Sequence, residues 1–497
     1  MKSFIVIMVF GMLGCGVADE ERLYYSAEQK QWGIAASAVL TKKNEHDLFS
    51  LRGVPDSVWE QERNREFLEG DGWDVSGRED LIKTIERVMK TGHRSSFKQI
   101  HDSLEAGPAV YWINNFLHRL KYGYAFRPHR VAFVERYAEE LAGRSLIGWD
   151  LARVISLVRW GVAAGYLEEE EAWQWIMPAA QEIQRIYGSW EELGEAYVTG
   201  RMFWSSYHFR TGGEEIRPVV YWLLKNPNSP WVKVDWNLDL TGSTEAYAGD
   251  EKLPKAEPYY EGARFGRYGG YTNTVRALLE LKDSGSAYSR AMCHEKLGDY
   301  YQYGRPGIEP NLQKALSFYQ TAAELGEDGA MLDLGLAYYR GKGRPKDFNR
   351  AYVWWSRAAE SGHVTALRNL GILYAEGKGV EQDLEKAMEL YELAGKWGDS
   401  GAENQLAWLM FKNEEVWDAD QAVAYAYTAI RKDACQPHYD TLVRVLIKAG
   451  RWDEAWTQLN AWERLNMRQR NNYDPLKLPE KFKKLRERIE SGRIGGA

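Results

Sequence analysis

The sequence predicts an all-α protein, with a helical N-terminal domain followed by an α/α solenoid. Three observations carry this. Leu297-Gly298, Leu334-Gly335 and Leu370-Gly371 recur 36 or 37 residues apart, and Ala315, Ala351, Ala387 and Ala422 follow at steps of 36, 36 and 35. A fixed period of that length marks a pair of helices that must stack on its neighbours to bury its apolar face. Upstream, apolar residues return every three or four positions and stop at Gly or Pro, the pattern of amphipathic helices with breaks between them. At 497 residues the chain exceeds a single core, so two or more domains are expected.

The solenoid is predicted over residues 288–470, each unit reading as two helices. In the second unit, helix A is Ala330 to Arg340, a turn follows at Gly341-Lys342-Gly343, and helix B runs from Asn349 to Ser361. In the third, helix A is Ala366 to Glu376, the turn is Gly377 to Val380, and helix B runs from Leu384 to Trp397. Gly335, Gly371, Ala358, Ala359 and Ala394 are small enough to let paired helices approach closely. Gly326, Gly362 and Gly398 stand where helix B ends and a left-handed residue is needed. Tyr319, Trp355 and Tyr391 fill the space between pairs. The pattern A-x3-LG-x2-Y-x2-G-x-G, then D-x2-KA, then AA-x2-G resembles the Sel1-like repeats, relatives of the tetratricopeptide repeat. Three units fit from Cys293 to Gly398. The unit at Ala402 to Asp433 departs, with Ala407 for Gly and Asn413 for the turn Gly, and Thr441 to Leu465 reads as a tetratricopeptide-like cap. Residues 471–497 form a charged tail, with a helix expected over Lys477 to Arg493.

The resemblance implies a curved surface that binds a peptide or protein partner. Asp299, Leu336, Ile372 and Trp408 follow successive Leu-Gly positions, and Glu295, Leu332, Arg368 and Asn404 stand one turn earlier. Leu332, Leu336, Arg368, Ile372, Asn404 and Trp408 are the candidate partner-binding residues. The competing reading is that this strip packs against the N-terminal domain or adds to the core.

The N-terminal domain is placed at 24–245. Helices are expected over 24–46, 80–90, 93–104, 109–121 and 131–142, with Gly92, Pro108 and Pro128 as breaks. Then come Gly148-Trp149-Asp150-Leu151-Ala152-Arg153, Trp160-Gly161, the acidic helix start Glu168 to Trp173, Tyr187-Gly188-Ser189-Trp190 and Tyr197 to Trp204. In that order these segments resemble the bacterial family DUF1266 over about 70–240; the resemblance implies no activity. Read by themselves, the residues favour a scaffold. Asp150 and Arg153, three apart, pair along a helix surface. Gly161 and Gly165 allow a close crossing or a cap. Glu168 to Glu171 suit the positive end of a helix dipole, and Trp149, Trp160, Trp173, Trp175, Trp190 and Trp204 are expected in the core. The alternative is a polar pocket that gathers Asp150, Arg153 or Arg201 with a histidine, or a cleft lined by Arg153, Arg159 and Arg201. Residues 246–287 read as an extended linker ending in a lead-in helix over Thr272 to Lys282.

Residues 1–18 read as a signal peptide, with Lys2 before the apolar run Phe4 to Leu13, too short for a permanent membrane span. Met12-Leu13-Gly14-Cys15 resembles a bacterial lipobox, which would make Cys15 a lipidation site. Export is therefore expected, to the periplasm or an outer-membrane lipid anchor, with a secreted form as the alternative; no transmembrane helix is expected in the mature chain. A disulfide between Cys293 and Cys435 is not expected, because several stacked repeats separate them. Cys293 takes the place of Ala330, Ala366 and Ala402 in its repeat and reads as a small packing residue.

Chemistry is not legible. G-x-S-x-G, Walker A, H-E-x-x-H and C-x-x-C are all missing. His93 and His101, or His118 and His129, are not spaced as metal ligands on one helix, so neither cofactor nor metal is expected. A net charge of −7 argues against a general nucleic-acid binder. The leading expectation is an interaction protein of the bacterial envelope, binding through its solenoid and more readily a non-enzyme than an enzyme. The alternative is an enzyme with its active site in the N-terminal domain and repeats that recruit substrate.

Overall fold

A computed structural model describes residues 23–44, 47–48, 50–54, 58–70, 73–122, 125–141, 146–243, 270–469 and 480–495. Residues 1–22, on which the expected signal peptide and Cys15 fall, most of the expected linker and the start of the tail lie outside the described residues. Helices dominate both halves, and the only β-type pairings among the described residues are two isolated bridges. None of the described helices is long and apolar enough to cross a membrane.

The N-terminal domain begins with α1 (Ala27–Ala35) and α2 (Ala38–Lys43), where a single helix was expected. The break falls at Ser37, whose hydroxyl donates to Ile34 O and accepts from Arg159 Nη1 at 3.0 Å. There follow α3 (Val58–Glu69), α4 (Arg78–Lys90), α5 (Gly92–Glu105), α6 (Pro108–Tyr122), α7 (Pro128–Tyr137) and α8 (Ile147–Ala163). The domain closes with α9 (Glu169–Ile186), α10 (Trp190–Trp204), α11 (Ser206–Thr211), α12 (Arg217–Lys225) and α13 (Pro230–Lys233). Helix α8 is buried along almost its whole length, and α3, α4, α9 and α10 pack around it.

Tryptophans knit this core. Trp190 lies 4.7 Å from Trp32, 5.5 Å from Trp231 and 4.8 Å from Trp236, ring centre to ring centre. Their N–H groups serve the extended segment after α13: Trp32 donates to Trp236 O, Trp190 to Val234 O, and Gln184 to Trp236 O and Leu238 O. An extended segment laid on a core leaves carbonyls that need donors, and indole and amide side chains supply them. Tyr24 and Ser243 exchange both backbone bonds, which ties the two ends of the domain together. Trp149, Trp160 and Trp173 are buried as expected, whereas Trp204 is 40% exposed.

Helix α6 is turned inside out. Its inner face carries Asn114, which donates to Ser103 Oγ at 2.9 Å, and Asn115, which accepts from Phe126 N at 2.7 Å. Trp112, Ile113, Phe116, Leu117 and Leu120 point to solvent.

The solenoid opens with α14 (Tyr271–Leu281). Its helix pairs are α15 (Ala287–Tyr303) with α16 (Leu312–Glu324), α17 (Asp328–Arg340) with α18 (Phe348–Glu360), and α19 (Val364–Glu376) with α20 (Leu384–Lys396). Two divergent pairs follow: α21 (Ala402–Lys412) with α22 (Ala419–Lys432), and α23 (Gln436–Lys448) with α24 (Trp452–Gln469); α25 (Glu480–Gly495) packs on the last. The Leu-Gly pair works by close approach. A Cβ on Gly298, Gly335 or Gly371 would stand 2.5, 2.2 or 2.5 Å from Tyr319, Trp355 or Tyr391 of the paired helix. Cys293 is fully buried and its thiol is pushed up to about 12 by burial, as a packing residue should be. Cys293 and Cys435 are both free.

The two halves share one apolar core. Helix α12 lies across the ends of successive repeats. Trp222 donates to Asp328 Oδ1 at 2.9 Å, Asn226 donates to Ser361 O at 3.1 Å, and the Tyr221 ring sits 5.0 Å from that of Trp397. At this edge two helix-ending glycines have a second use: a Cβ on Gly362 would meet Trp222 Cα at 3.0 Å, and one on Gly398 would meet Glu214 O at 2.5 Å.

Candidate binding surface and a polar cluster in the N-terminal domain

The strip after each Leu-Gly pair occupies equivalent positions on α15, α17, α19 and α21, and every member is half-buried. Leu332 and Leu336 pack against the shared core, and Leu332 O accepts from Trp355 Nε1 at 3.1 Å. Arg368 Nε donates to Asp399 Oδ1 at 2.7 Å. Ile372 rests against the cluster formed by Tyr391 and Leu406. Asn404 keeps a buried Oδ1 with no partner. Trp408 stacks on Phe411 at 5.3 Å, with the Lys412 ammonium 5.0 Å from its ring centre.

At the first-repeat end the strip turns acidic. Asp299 accepts from the Tyr319 hydroxyl at 2.8 Å. Burial, and then the Asp299 charge, push Asp333 up to about 6. Burial also raises Glu295 and Glu327, with Asp328 adding to both and Lys42 of the N-terminal domain opposing. The end of the strip thus holds carboxyls that share too little counter-charge.

A second polar cluster lies at the start of α5. Asp150, in the first turn of α8, is fully buried and accepts from His93 N at 2.9 Å, Arg94 N at 3.1 Å and Arg94 Nη1 at 3.1 Å. A carboxylate there satisfies N–H groups that the first turn of a helix leaves open. Asp150 therefore does not form the expected pair with Arg153 along α8; its partners come from a different helix. Arg153 Nη1 instead donates to His93 Nδ1 at 2.6 Å, and its guanidinium lies 4.5 Å from the Trp73 ring centre and 5.2 Å from that of Trp149. Accepting that bond requires the neutral imidazole, and burial accordingly lowers His93. Burial also brings Arg153 down to about 10. Tyr197 packs edge-on against Trp149 at 4.7 Å, within electrostatic reach of both Arg153 and Arg201.

With this geometry in view, comparison with known proteins places both halves. Residues 70–236 match the family described as "Protein of unknown function (DUF1266)". Residues 291–327, 329–363 and 364–399 match the Sel1 repeat. The chain joins a DUF1266 domain to an array of Sel1 repeats. Among curated proteins it is similar to "Uncharacterized protein YbeR" of Escherichia coli (strain K12), 27% identical over 135 residues, which is 27% of this chain and 55% of that protein. It is also similar to "Uncharacterized protein YbeU" of the same organism, 26% identical over 143 residues, 29% of this chain and 59% of that protein. The chain thus spans a little over half the length of these relatives. Among solved structures it is similar to a Sel1 repeat protein from Oxalobacter formigenes, with 21% identity, a TM-score of 0.35, and coverage of 43% of this chain and 86% of that one. It is also similar to c5321, a protective antigen of uropathogenic Escherichia coli with an SLR fold, at 17% identity and a TM-score of 0.30, covering 84% of this chain and 99% of that one.

The DUF1266 domain therefore gathers Asp150 and Arg153 with a histidine, His93, and places Arg201 near Arg153. Arg159 stands apart. It is 3% exposed and donates to Leu51 O, Asp47 O, Ser50 O, Ser37 Oγ and Thr41 Oγ1, which pins the loop after α2 to α8. In the divergent part of the solenoid beyond the Sel1 repeats, Asp433, Cys435 and His438 bring a carboxylate oxygen, a thiol and a ring nitrogen within 4.8 Å of one another. Such a set suits a zinc-like ion with one position open. His438 Nδ1 lies 2.6 Å from Asp433 O, and burial raises the Cys435 thiol. Ligand spacing on a single helix does not reach this set, because Asp433 follows α22 and Cys435 precedes α23; D-x-C-x-x-H is the signal that would have found it.

Proposed function

We propose that the chain is a protein-binding scaffold of the bacterial envelope, whose Sel1 strip takes an extended segment of a partner. The observation that supports this is the division of surfaces. The DUF1266 domain seats on the repeat ends through α12, while Leu332, Leu336, Arg368, Ile372, Asn404 and Trp408 stay half-exposed along successive helices. The partner chemistry follows from the strip: a cation opposite Asp299 and Asp333, apolar side chains against Leu336 and Ile372, and an aromatic or aliphatic group at Trp408. A preformed strip on a rigid array loses little conformational freedom on binding. A photo-crosslinker at position 336 should give a discrete adduct in envelope preparations, and one at Val353, 52% exposed on α18, should not. Equal labelling from both positions contradicts the reading. Envelope location rests on the N-terminal segment, and labelled-lipid incorporation that is lost in Cys15→Ala would support it; unlabelled protein in the cytosolic fraction would not.

A second reading, an enzyme with its active site in the DUF1266 domain and repeats that recruit substrate, is favoured by one observation. His93, Asp150 and Arg153 meet in a partly buried cluster.

A further inference from the structure

We propose that the DUF1266 domain binds a small oxyanion, a phosphate or carboxylate group, between Arg153, Arg201 and Tyr197. Charge is the first argument. Asp150 is already committed to two backbone N–H groups and to Arg94. Arg153 feels the Asp150 charge without bonding to it; its own contacts are a neutral imidazole and two indole faces, and Arg201 opposes its charge. Arg201 rests on the Trp204 ring at 4.5 Å, and its Nε is buried without a partner. Glu215 acts on Arg201 from a distance, but its carboxylate sits 3.3 Å from Lys43 Nζ. Two guanidiniums held in one partly buried place repel each other, and an anion between them reverses that cost.

Unused donors point the same way. The Tyr197 side chain is 2% exposed, its hydroxyl has no hydrogen-bond partner, and it lies in the field of both arginines. Trp149 Nε1 is likewise buried without a partner. A buried polar group left unsatisfied costs about 1–3 kcal/mol, so two in one cluster point to a ligand that completes them. Guanidinium, phenol and indole all donate here, which is the chemistry that recognises an oxyanion. The His93 side chain is 20% exposed and opens the cluster to solvent.

This binding needs neither turnover nor a protein partner, so its failure would leave the strip reading intact. The test is calorimetric titration of the full-length protein with inorganic phosphate and, separately, with acetate. Saturable one-site binding is expected, weakened about 10-fold or more in Arg153→Lys, which keeps the charge and loses the fork, and also weakened in Tyr197→Phe. The Tyr197→Phe variant should melt at the same temperature or higher, because it deletes an unpartnered buried hydroxyl. Binding of phosphate alone assigns the site to phosphate, and binding of acetate assigns it to carboxylates. No saturable binding of either up to about 10 mM, or undiminished affinity in both variants, overturns the proposal.

Discussion

Trp222 of the DUF1266 domain donates its indole N–H to the carboxylate of Asp328, the first residue of α17, at 2.9 Å. Each residue is 6% exposed, so the bond lies inside the seam. It also explains why Asp328 stands in the first turn of α17: the helix start favours a carboxylate, and α12 supplies the donors. Asp328→Ala leaves the Trp222 N–H unsatisfied, while Asn226, whose contact with Asp328 Oδ1 is 3.4 Å, keeps its bond to Ser361 O; the change should cost about 1–3 kcal/mol. Thermal unfolding and limited proteolysis of the seam both read this loss, and an unchanged melting temperature would contradict it.

Gly326 and Gly398 end equivalent helices with φ of +99° and +92°, yet a Cβ on Gly326 meets nothing within 4 Å while one on Gly398 meets Glu214 O at 2.5 Å. Ala at either position pays the left-handed strain, about 1 kcal/mol. Only Gly398→Ala should also loosen the docked α12. Urea midpoints should therefore fall further for Gly398→Ala than for Gly326→Ala, and equal losses would mean that the seam contributes nothing.

The contrast shows what the sequence could carry. Leu297-Gly298, Leu334-Gly335 and Leu370-Gly371 were legible because each glycine meets an aromatic residue about 20 positions on, inside the same repeat. The seam was not legible: Gly326, Gly362 and Gly398 look alike in the sequence, and the helix that separates them by use lies more than 100 residues away. The polar cluster was half legible. Asp150 and Arg153 were singled out, but spacing along one helix suggested that they pair with each other, whereas their partners, His93 and Arg94, come from another helix. In α6 the periodicity was right, but a period cannot say which face turns inward.

The inverted face of α6 makes a stability prediction. Trp112, Phe116 and Leu120 are 68%, 60% and 67% exposed. Changing any one of them to Ser should shift stability by less than about 0.5 kcal/mol. Asn115→Ala should cost about 1–2 kcal/mol, because it strands the Phe126 N–H. Chemical denaturation of the four variants would read this order, and the reverse order would place α6 wrongly.

The acidic end of the strip predicts a pH dependence. Asp333, pushed up to about 6 by burial and Asp299, keeps its proton in the folded chain where the unfolded chain has released it. The folded state then binds more protons between about pH 4 and pH 6, so stability is lost as pH rises through that window. Asp333→Asn removes the cost and should stabilise the protein by about 1–3 kcal/mol at pH 7 to 8, with the gain fading towards pH 4. Urea midpoints of the two proteins across that range would show a widening gap; a constant or inverted gap would contradict the assignment.

On the proposed function, the Sel1 strip takes a partner while the DUF1266 domain holds the array's edge. Deleting the repeats is a poor test, since it would strip the cover from Tyr221, Trp222 and Asn226 and create a new sticky surface. The direct measurement is capture from envelope extracts by the full-length chain and by a Leu336→Lys, Ile372→Lys double variant whose melting temperature matches wild type. A partner recovered with wild type should be lost with the variant. Recovery of the same partner in the same amount by both proteins would contradict it.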